Sequence, residues 1–303
     1  MSIVQRQELP EIIELLAAQR NIYSRAKNLV GIQMTLSVPI AICATIATIV
    51  EPESKGYIAL WGILVVVFDL FVFTPWTKKL RDSAARIQEQ FDTKVLGLEW
   101  NEIAVGKKPD PELVQEEAKK HGLEEKRVAS LREWYPIVID KVPETCGIII
   151  GQRANIWWDA RMRRKYVLAI RIILVSIALV VIGYGLYEKK DMFEFLAYIV
   201  APLASTYVFG YRQMVEHSDA ADRLDRLKEF SEKLWADAVA GKDAVSLKIK
   251  CRALQDQIFD HRKKNPPIFD FIFWMFRDGN QALMNKGAET LVNEFSQCSK
   301  RVL

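Results

Sequence analysis

Residues Val167 to Tyr187 read Val-Leu-Ala-Ile-Arg-Ile-Ile-Leu-Val-Ser-Ile-Ala-Leu-Val-Val-Ile-Gly-Tyr-Gly-Leu-Tyr. After Glu188-Lys189-Lys190-Asp191 a second apolar run extends from Met192 to Tyr211. The arms have 21 and 20 residues. A helix of that length is about 30 Å long, the thickness of a bilayer's hydrocarbon core. The polar connector suffices for a tight turn and not for a domain, so the stretch predicts a transmembrane helical hairpin. The first third of the chain repeats the pattern. Leu29 to Val50 carries no charge, Glu51 to Gly56 forms a short turn, and Tyr57 to Trp76 carries only Asp69. Pro39 removes one intrahelical hydrogen bond from the first of these spans and predicts a kink there. The expected fold is all-α: an integral membrane protein with four transmembrane helices in two hairpins, extended by long cytosolic helices. The hairpins are 29–76 (29–50 and 57–76) and 167–211 (167–187 and 192–211).

Half of the 303 residues are apolar, a share that soluble proteins also reach. Clustering into four windows nearly free of charge carries the signal. The first window is too long for a signal-peptide core and follows a polar segment, so the chain is expected to keep its N-terminus and insert by this span. The net charge of +4 suits anionic headgroups or an anionic ligand without choosing between them.

Three charged segments remain. In 1–28, Pro10 to Lys27 reads as an amphipathic helix, with Ile12, Ile13, Leu15, Leu16, Ile22 and Tyr23 interleaved with Glu11, Glu14, Arg20 and Arg25. In 77–166, Leu80, Ala84, Ile87, Phe91, Val95 and Leu98 continue the second span as an amphipathic helix. Shorter helices follow at Glu112–Lys120 and Glu124–Trp134, and from about Thr145 one helix runs into the third span. In 212–303, Ala220, Leu224, Leu227, Phe230 and Leu234 prolong the fourth span, and Val245–Arg262 and Gln281–Phe295 form further helices. The apolar run Ile268 to Phe276 is too short to cross a bilayer. It is either a buried piece of the charged region or an aromatic segment dipping into the membrane interface.

Charge orients the spans. Arg20, Arg25 and Lys27 precede the first; Lys78, Lys79, Arg81 and Arg86 follow the second; Arg161, Arg163, Arg164 and Lys165 precede the third; Arg212, Arg223 and Arg226 follow the fourth. The opposite turns hold only Lys55, Lys189 and Lys190. The positive-inside rule places both termini and the middle segment in the cytoplasm. Such a chain exposes little on the outside, which disfavours an exterior receptor and suits a device that reads a cytosolic input and acts on the bilayer.

Ionisable groups inside a membrane are functional candidates. Asp69 and Arg171 lie at similar depths, about 10 and 8 Å from the cytoplasmic ends of their spans. Either they pair, or Arg171 snorkels to headgroups while Asp69 faces a polar lumen. Glu194 is either a headgroup-level carboxylate or one member of a ring at a pore mouth. Ala197, Ala201 and Ser205 give the fourth span a face of small residues that allows close helix approach.

No nucleotide-loop, zinc-protease, serine-hydrolase or CxxC motif occurs, so an enzyme is not expected. The spacing of Cys43, Cys146, Cys251 and Cys298 suits no metal, and His121, His217 and His261 read as solvated side chains. No cofactor is expected. Arg132, Trp134, Gln152, Arg153, Asn155, Trp158, Asp159 and Arg163 form the distinctive polar constellation. Guanidinium groups to phosphate, indole rings on bases and an amide or carboxylate to a base edge would recognise a nucleotide-like ligand. The competing reading is a basic membrane exit with polar residues that satisfy one another.

Four spans in two hairpins, a long cytosolic middle, Leu131-Arg-Glu-Trp-Tyr135, and Cys146 followed by Gln152-Arg-x-Asn155-x-x-Trp158-Asp159-x-x-Met-Arg163-x-x-Tyr166 resemble the SMODS-associated four-transmembrane effectors of bacterial CBASS anti-phage systems. The resemblance covers most of the chain and is strongest from Leu131 to Tyr211. It implies a homo-oligomeric, multi-pass effector of the bacterial inner membrane. A cyclic di- or trinucleotide from an associated nucleotidyltransferase would activate it to form a pore or otherwise disrupt the bilayer in abortive infection. No DNA or RNA polymer is expected as a partner. The alternatives are a non-conducting membrane scaffold or signalling adaptor, and a constitutive ion channel or transporter.

Overall fold

The computed structural model describes residues 1–51, 53, 55–188 and 191–302. Every regular element among them is helical. α1 (Ile3–Gln7) opens with a capping box in which the Ser2 hydroxyl accepts from the Gln5 N–H and the Gln5 side chain accepts from the Ser2 N–H. Two donors that a helix start leaves bare are thereby satisfied. α2 (Pro10–Ser37) begins on a proline, whose missing N–H is needed by nothing there. The expected N-terminal helix and the first half of the first span are therefore one rod. The rod breaks at Val38, and α3 (Pro39–Val50) restarts on proline. The Thr206 hydroxyl donates to the carbonyl of Ser37 at the break, at 2.9 Å.

α4 (Lys55–Phe68) widens into a π-helical turn, Asp69–Phe73, before α5 (Thr74–Leu96). The cause is Pro75, which offers no N–H to the carbonyl four residues back and crowds it. Widening one turn lets the Thr74 N–H reach the Asp69 carbonyl instead. α5 ends at Gly97, whose φ of +64° is the left-handed cap that a glycine adopts without a Cβ clash. Three short helices follow, α6 (Glu102–Val105), α7 (Pro111–His121) and α8 (Glu125–Ala129), and then a 3-10 turn, Ile137–Lys141. α9 (Glu144–Tyr187) runs 44 residues without interruption, about 66 Å, and it is the apolar rod without an internal proline. α10 (Met192–Phe195) and a second π-helical turn, Leu196–Val200, lead into α11 (Ala201–Val239), again just ahead of a proline, Pro202. α12 (Ala244–Lys264) and α13 (Asp270–Val302) complete the chain.

Among the described residues, three helices are long and apolar enough to cross a membrane: Pro10–Ala44, Gly56–Leu96 and Glu144–Tyr187. The fourth expected span, 192–211, is not one of the three; it comprises α10, the π turn and the start of α11, and the side chains of Tyr198, Pro202 and Ser205 within it lie outside the described residues. The expected turns contain Pro52, Ser54, Lys189 and Lys190, which lie outside the described residues, as do the side chains of Lys55 and Ser205. The close approach of the α9 and α11 arms is visible at glycines. A Cβ on Gly185 would meet the Phe195 ring at 2.5 Å, and one on Gly210 would meet Leu174 at 2.7 Å.

Several expectations change. The helix expected at Glu124–Trp134 stops at Ala129. Glu133 takes a left-handed φ of +53°, its N–H donating to Glu8 at 3.0 Å, while Leu131 and Tyr135 turn into the core. Pro136 also biases Tyr135 away from helix. At the other end, the apolar run at 268–276 and the last expected helix merge into α13. The core lies in the charged half of the molecule, where Leu16, Ile87, Phe91, Leu131, Tyr135 and Ile149 are fully buried between α2, α5 and α9.

Candidate ligand cavity

Beside this core a cavity of about 560 Å³ opens between α2, the turn 130–134, the middle of α9, the 265–270 link and the start of α13. Small-molecule sites commonly have volumes in this range. Of the eight sequence candidates, Arg132, Trp134, Asn155, Trp158, Asp159 and Arg163 line it. Gln152 and Arg153 do not. Gln152 is fully buried and donates to the Cys251 carbonyl at 2.9 Å and to Gln255 at 3.0 Å, and Arg153 is ion-paired with Glu232 at 2.9 Å.

One wall is cationic and aromatic. Arg20 donates to the Ser130 hydroxyl at 3.0 Å and Arg277 to the Ser130 carbonyl at 3.2 Å. The Arg20 guanidinium also lies 5.4 Å from the centres of the Phe273 and Trp274 rings, and that of Arg277 lies 5.1 Å from Trp274. Burial, and then the neighbouring Arg277 charge, push the Arg20 pKa down. An anion between the two arginines would relieve that repulsion. Lys27, whose pKa burial also lowers, is held by Asp270 at 2.5 Å. Two further donors wait on the cavity wall. The indole N–H groups of Trp134 and Trp158 are buried and, among the described residues, without a hydrogen-bond partner. A buried donor left unpaired costs free energy that a ligand acceptor would recover.

The opposite wall is an ordered acid–base chain. Asp159 accepts from His261 Nε2 at 3.0 Å and lies 3.1 Å from Arg163 Nε. Burial would raise its pKa, but the Arg163 charge and the His261 hydrogen bond outweigh it and hold Asp159 well below the usual carboxylate range. Asn265 donates to His261 Nδ1 at 2.8 Å, which places the His261 proton on Nε2. Arg163 Nη1 also donates to the Pro266 carbonyl at 3.2 Å and to His217 Nδ1 at 3.1 Å, so His217 carries its proton on Nε2, where it finds no partner. Burial, with Arg163 adding to it, keeps His217 neutral. The expectation of solvated histidines therefore fails for His217 and His261, which are 0% and 5% exposed. Arg163 had a different assignment from sequence as well: it is a buried brace and not a free cation.

Behind the cavity, Asn155 donates to the Tyr135 hydroxyl at 3.1 Å and Tyr135 donates to Asp92 at 2.6 Å. Asp92 also accepts from Gln255 at 2.9 Å and pairs with Arg262, another cavity residue. Glu89 accepts from Arg252 at 2.6 Å and from Gln255 at 2.8 Å. Sequence reasoning missed Arg20, Lys27, Phe273, Arg277, His261 and Arg262. Arg20 and Lys27 were visible only as membrane-flanking charge.

The intramembrane candidates lie elsewhere. Asp69 accepts from Gln33 at 2.5 Å, from the Thr74 hydroxyl at 3.1 Å and from Arg212 at 2.9 Å. Within the chain Asp69 does not pair with Arg171. Equal depth is not enough, because α9 turns Arg171 to an exposed face, while Arg212 on α11 faces the π turn that carries Asp69. Glu194 is exposed.

The fold is thus all-helical, with long apolar helices rooted in a charged body and a basic, aromatic cavity at the root. Among the described residues no group of three or more His, Cys, Asp or Glu is placed to hold a metal ion. The SMODS-associating 4TM effector domain matches this chain over residues 1–291, and the chain belongs to that family. Its family is thus one of effectors and not of catalysts. It is also similar to a protein from Bacillus cereus (strain VD146) named "Probable CBASS effector molecule", with 23% identity over 279 residues, covering 90% of this chain and 92% of that protein. No solved structure matches it.

Proposed function

We propose that this chain is a cyclic-oligonucleotide-activated effector of a CBASS anti-phage system, acting as an oligomer in the bacterial inner membrane with four spans and both termini in the cytoplasm. The cavity receives the cyclic di- or trinucleotide. Arg20 and Arg277 take phosphate, Trp158 and Phe273 offer stacking faces, and the indole N–H groups and Asn155 meet base or sugar acceptors. One observation carries the reading: unpartnered donors and crowded guanidinium groups line a cavity at the root of α9. α9 runs from the cavity wall into the third apolar stretch without a break, so a shift at Trp158 or Asp159 tilts the span itself. Ligand moves the closed-to-open balance only by its preference for the open arrangement. A single bundle filled by its own side chains offers no conduit, so a pore requires several copies or a large opening motion.

The test is dye release from liposomes carrying the purified protein, against a panel of cyclic di- and trinucleotides, with Kd measured in detergent. One panel member is expected to bind and trigger release. Arg277→Ala should weaken binding roughly 10- to 100-fold, and Trp158→Phe, which keeps the ring and removes the N–H, roughly fivefold. Release without nucleotide, or unchanged Kd in both variants, would overturn the assignment.

A further inference from the structure

The first two turns of α13 have two faces. Phe273 and Arg277 line the cavity, and Ile272 packs on Met162 and Tyr166 of α9. Phe271, Trp274 and Met275, spaced three and four apart, face outward and are 60%, 49% and 66% exposed. The apolar face ends at the exposed Asp278. Single exposed apolar residues such as Ile103 and Ile249 also occur on the body, but here three large ones lie side by side on one helix face, and a contiguous patch suits an occupant.

Its position says which. Asp270 pairs with Lys27, two residues before the first apolar stretch begins, and Phe269 lies 3.7 Å from the position of a Cβ on Gly31 within it. Phe269 is also 6.2 Å, ring to ring, from Tyr166, the last residue before the third stretch, and packs near Ile170 within it. About three turns further on, Asn280 contacts Arg161 at 3.0 Å, below the apolar stretch. The exposed face thus begins at Phe271, where the apolar helices meet the charged body, and runs from there along the body, where Phe273 lies 5.1 Å, ring to ring, from Trp158. Its composition suits that depth: two aromatics and a methionine outward, with Arg20 and Arg277 stacked on Trp274 from the body side.

We propose that Phe271, Trp274 and Met275 form an interfacial wedge seated among the lipids of the inner leaflet. The same helix turns wall the ligand cavity, so the wedge is a second mechanical link from ligand to bilayer, separate from α9. This rests on the membrane reading above.

Site-specific fluorophores separate the two ideas. Full-length protein carrying Cys43→Ala and Cys298→Ser, the other two cysteines being buried, receives Phe271→Cys or Met275→Cys in liposomes of anionic and zwitterionic phospholipid. Val180→Cys, on an exposed face in the middle of the third apolar stretch, and Lys286→Cys, exposed on the body, serve as references. Both wedge labels should be quenched by spin-labelled lipid and shielded from aqueous iodide, as at 180, whereas the label at 286 should respond to iodide alone. Iodide quenching at 271 and 275 with lipid quenching kept at 180 would overturn the wedge and leave the spans standing. Iodide quenching at 180 too would overturn the membrane reading with it. Shielding from both quenchers, with energy transfer between labelled chains, would show a protein contact and overturn the wedge. Nucleotide that triggers dye release should also change lipid quenching at 275; an unchanged signal would overturn the coupling.

Discussion

Ile149 and Leu179 lie on the same straight helix, α9, yet the first is 0% exposed and the second 65%. The contrast holds across the molecule. In the charged body Glu89, Asp92 and Gln152 are buried around Gln255 and His217 is buried against Arg163, beside a core of Ile87, Phe91 and Ile148. In the apolar ends polar groups are few, chiefly the Asp69, Gln33 and Arg212 knot, the Thr206–Ser37 bond and the exposed Arg171 and Glu194, while Phe71 is 74% and Val180 72% exposed. The body therefore takes its stability from apolar side chains that leave water and pack on one another. The ends leave apolar surface that only a non-aqueous neighbour can cover. A helix passing through both regions obeys two rules for what it buries, and the cavity lies where the rules change.

The sharpest way to break this comparison is Asp92→Ala. It strands Arg262 in the body, and removing one partner of a buried pair costs about 3–5 kcal/mol, read by denaturant unfolding in detergent; a loss below about 1 kcal/mol would show that the network does not clasp the body. Within α9 itself, Ile149→Ala should cost about 2–5 kcal/mol, whereas Leu179→Ala should change detergent-state stability by less than about 0.5 kcal/mol. Equal losses would erase the difference between the two ends.

A pH series sharpens the body's side of the comparison. Burial and then the nearby Asp92 push Glu89 up to about 7 from 4.5, against the pull of Arg252. The folded chain then binds this proton more tightly than the unfolded chain does. Its contribution is complete below pH 4.5 and is lost as pH rises through about 7. Relative to Glu89→Gln, the Tm of the parent chain should therefore fall from pH 5 to 8, by an amount equivalent to at most about 3 kcal/mol, on top of the opposite rise that the buried, neutral His217 gives both chains. A difference between the two profiles that does not vary with pH would refute the role of this carboxyl. The smallest effects belong to the apolar ends. Asp69→Asn should cost roughly 1 kcal/mol by loosening three apolar segments at once, and Arg171→Gln less than about 0.5 kcal/mol. The reverse order would restore the pairing expected from depth alone.

How far the chain could be read in advance varied with the kind of evidence each residue carries. The unbroken passage from Thr145 through Tyr187 was legible because apolar length and the absence of proline are local properties. The merger at 268–302 was not, because Asn265-Pro266-Pro267 marks a stop but cannot say that the next aromatic run and the last helix share one axis. Trp134, Trp158 and Asp159 stood out by residue type, whereas Arg20 and Arg277 did not, since each is an ordinary helix-face arginine until the turn at Ser130 brings them together.

By itself the sequence determined the helical class, the long apolar runs and the break at Pro39, though not the π turns ahead of Pro75 and Pro202. Each of these follows from side-chain period, run length or a missing N–H within a few residues. Tertiary structure alone decided that Asp69 meets Arg212 instead of Arg171, that two histidines are buried, and that residues from 19 to 284 enclose one cavity. Those outcomes depend on the rotation of one helix against another. Periodicity fixes which residues share a face, but only the packed neighbours decide what that face meets.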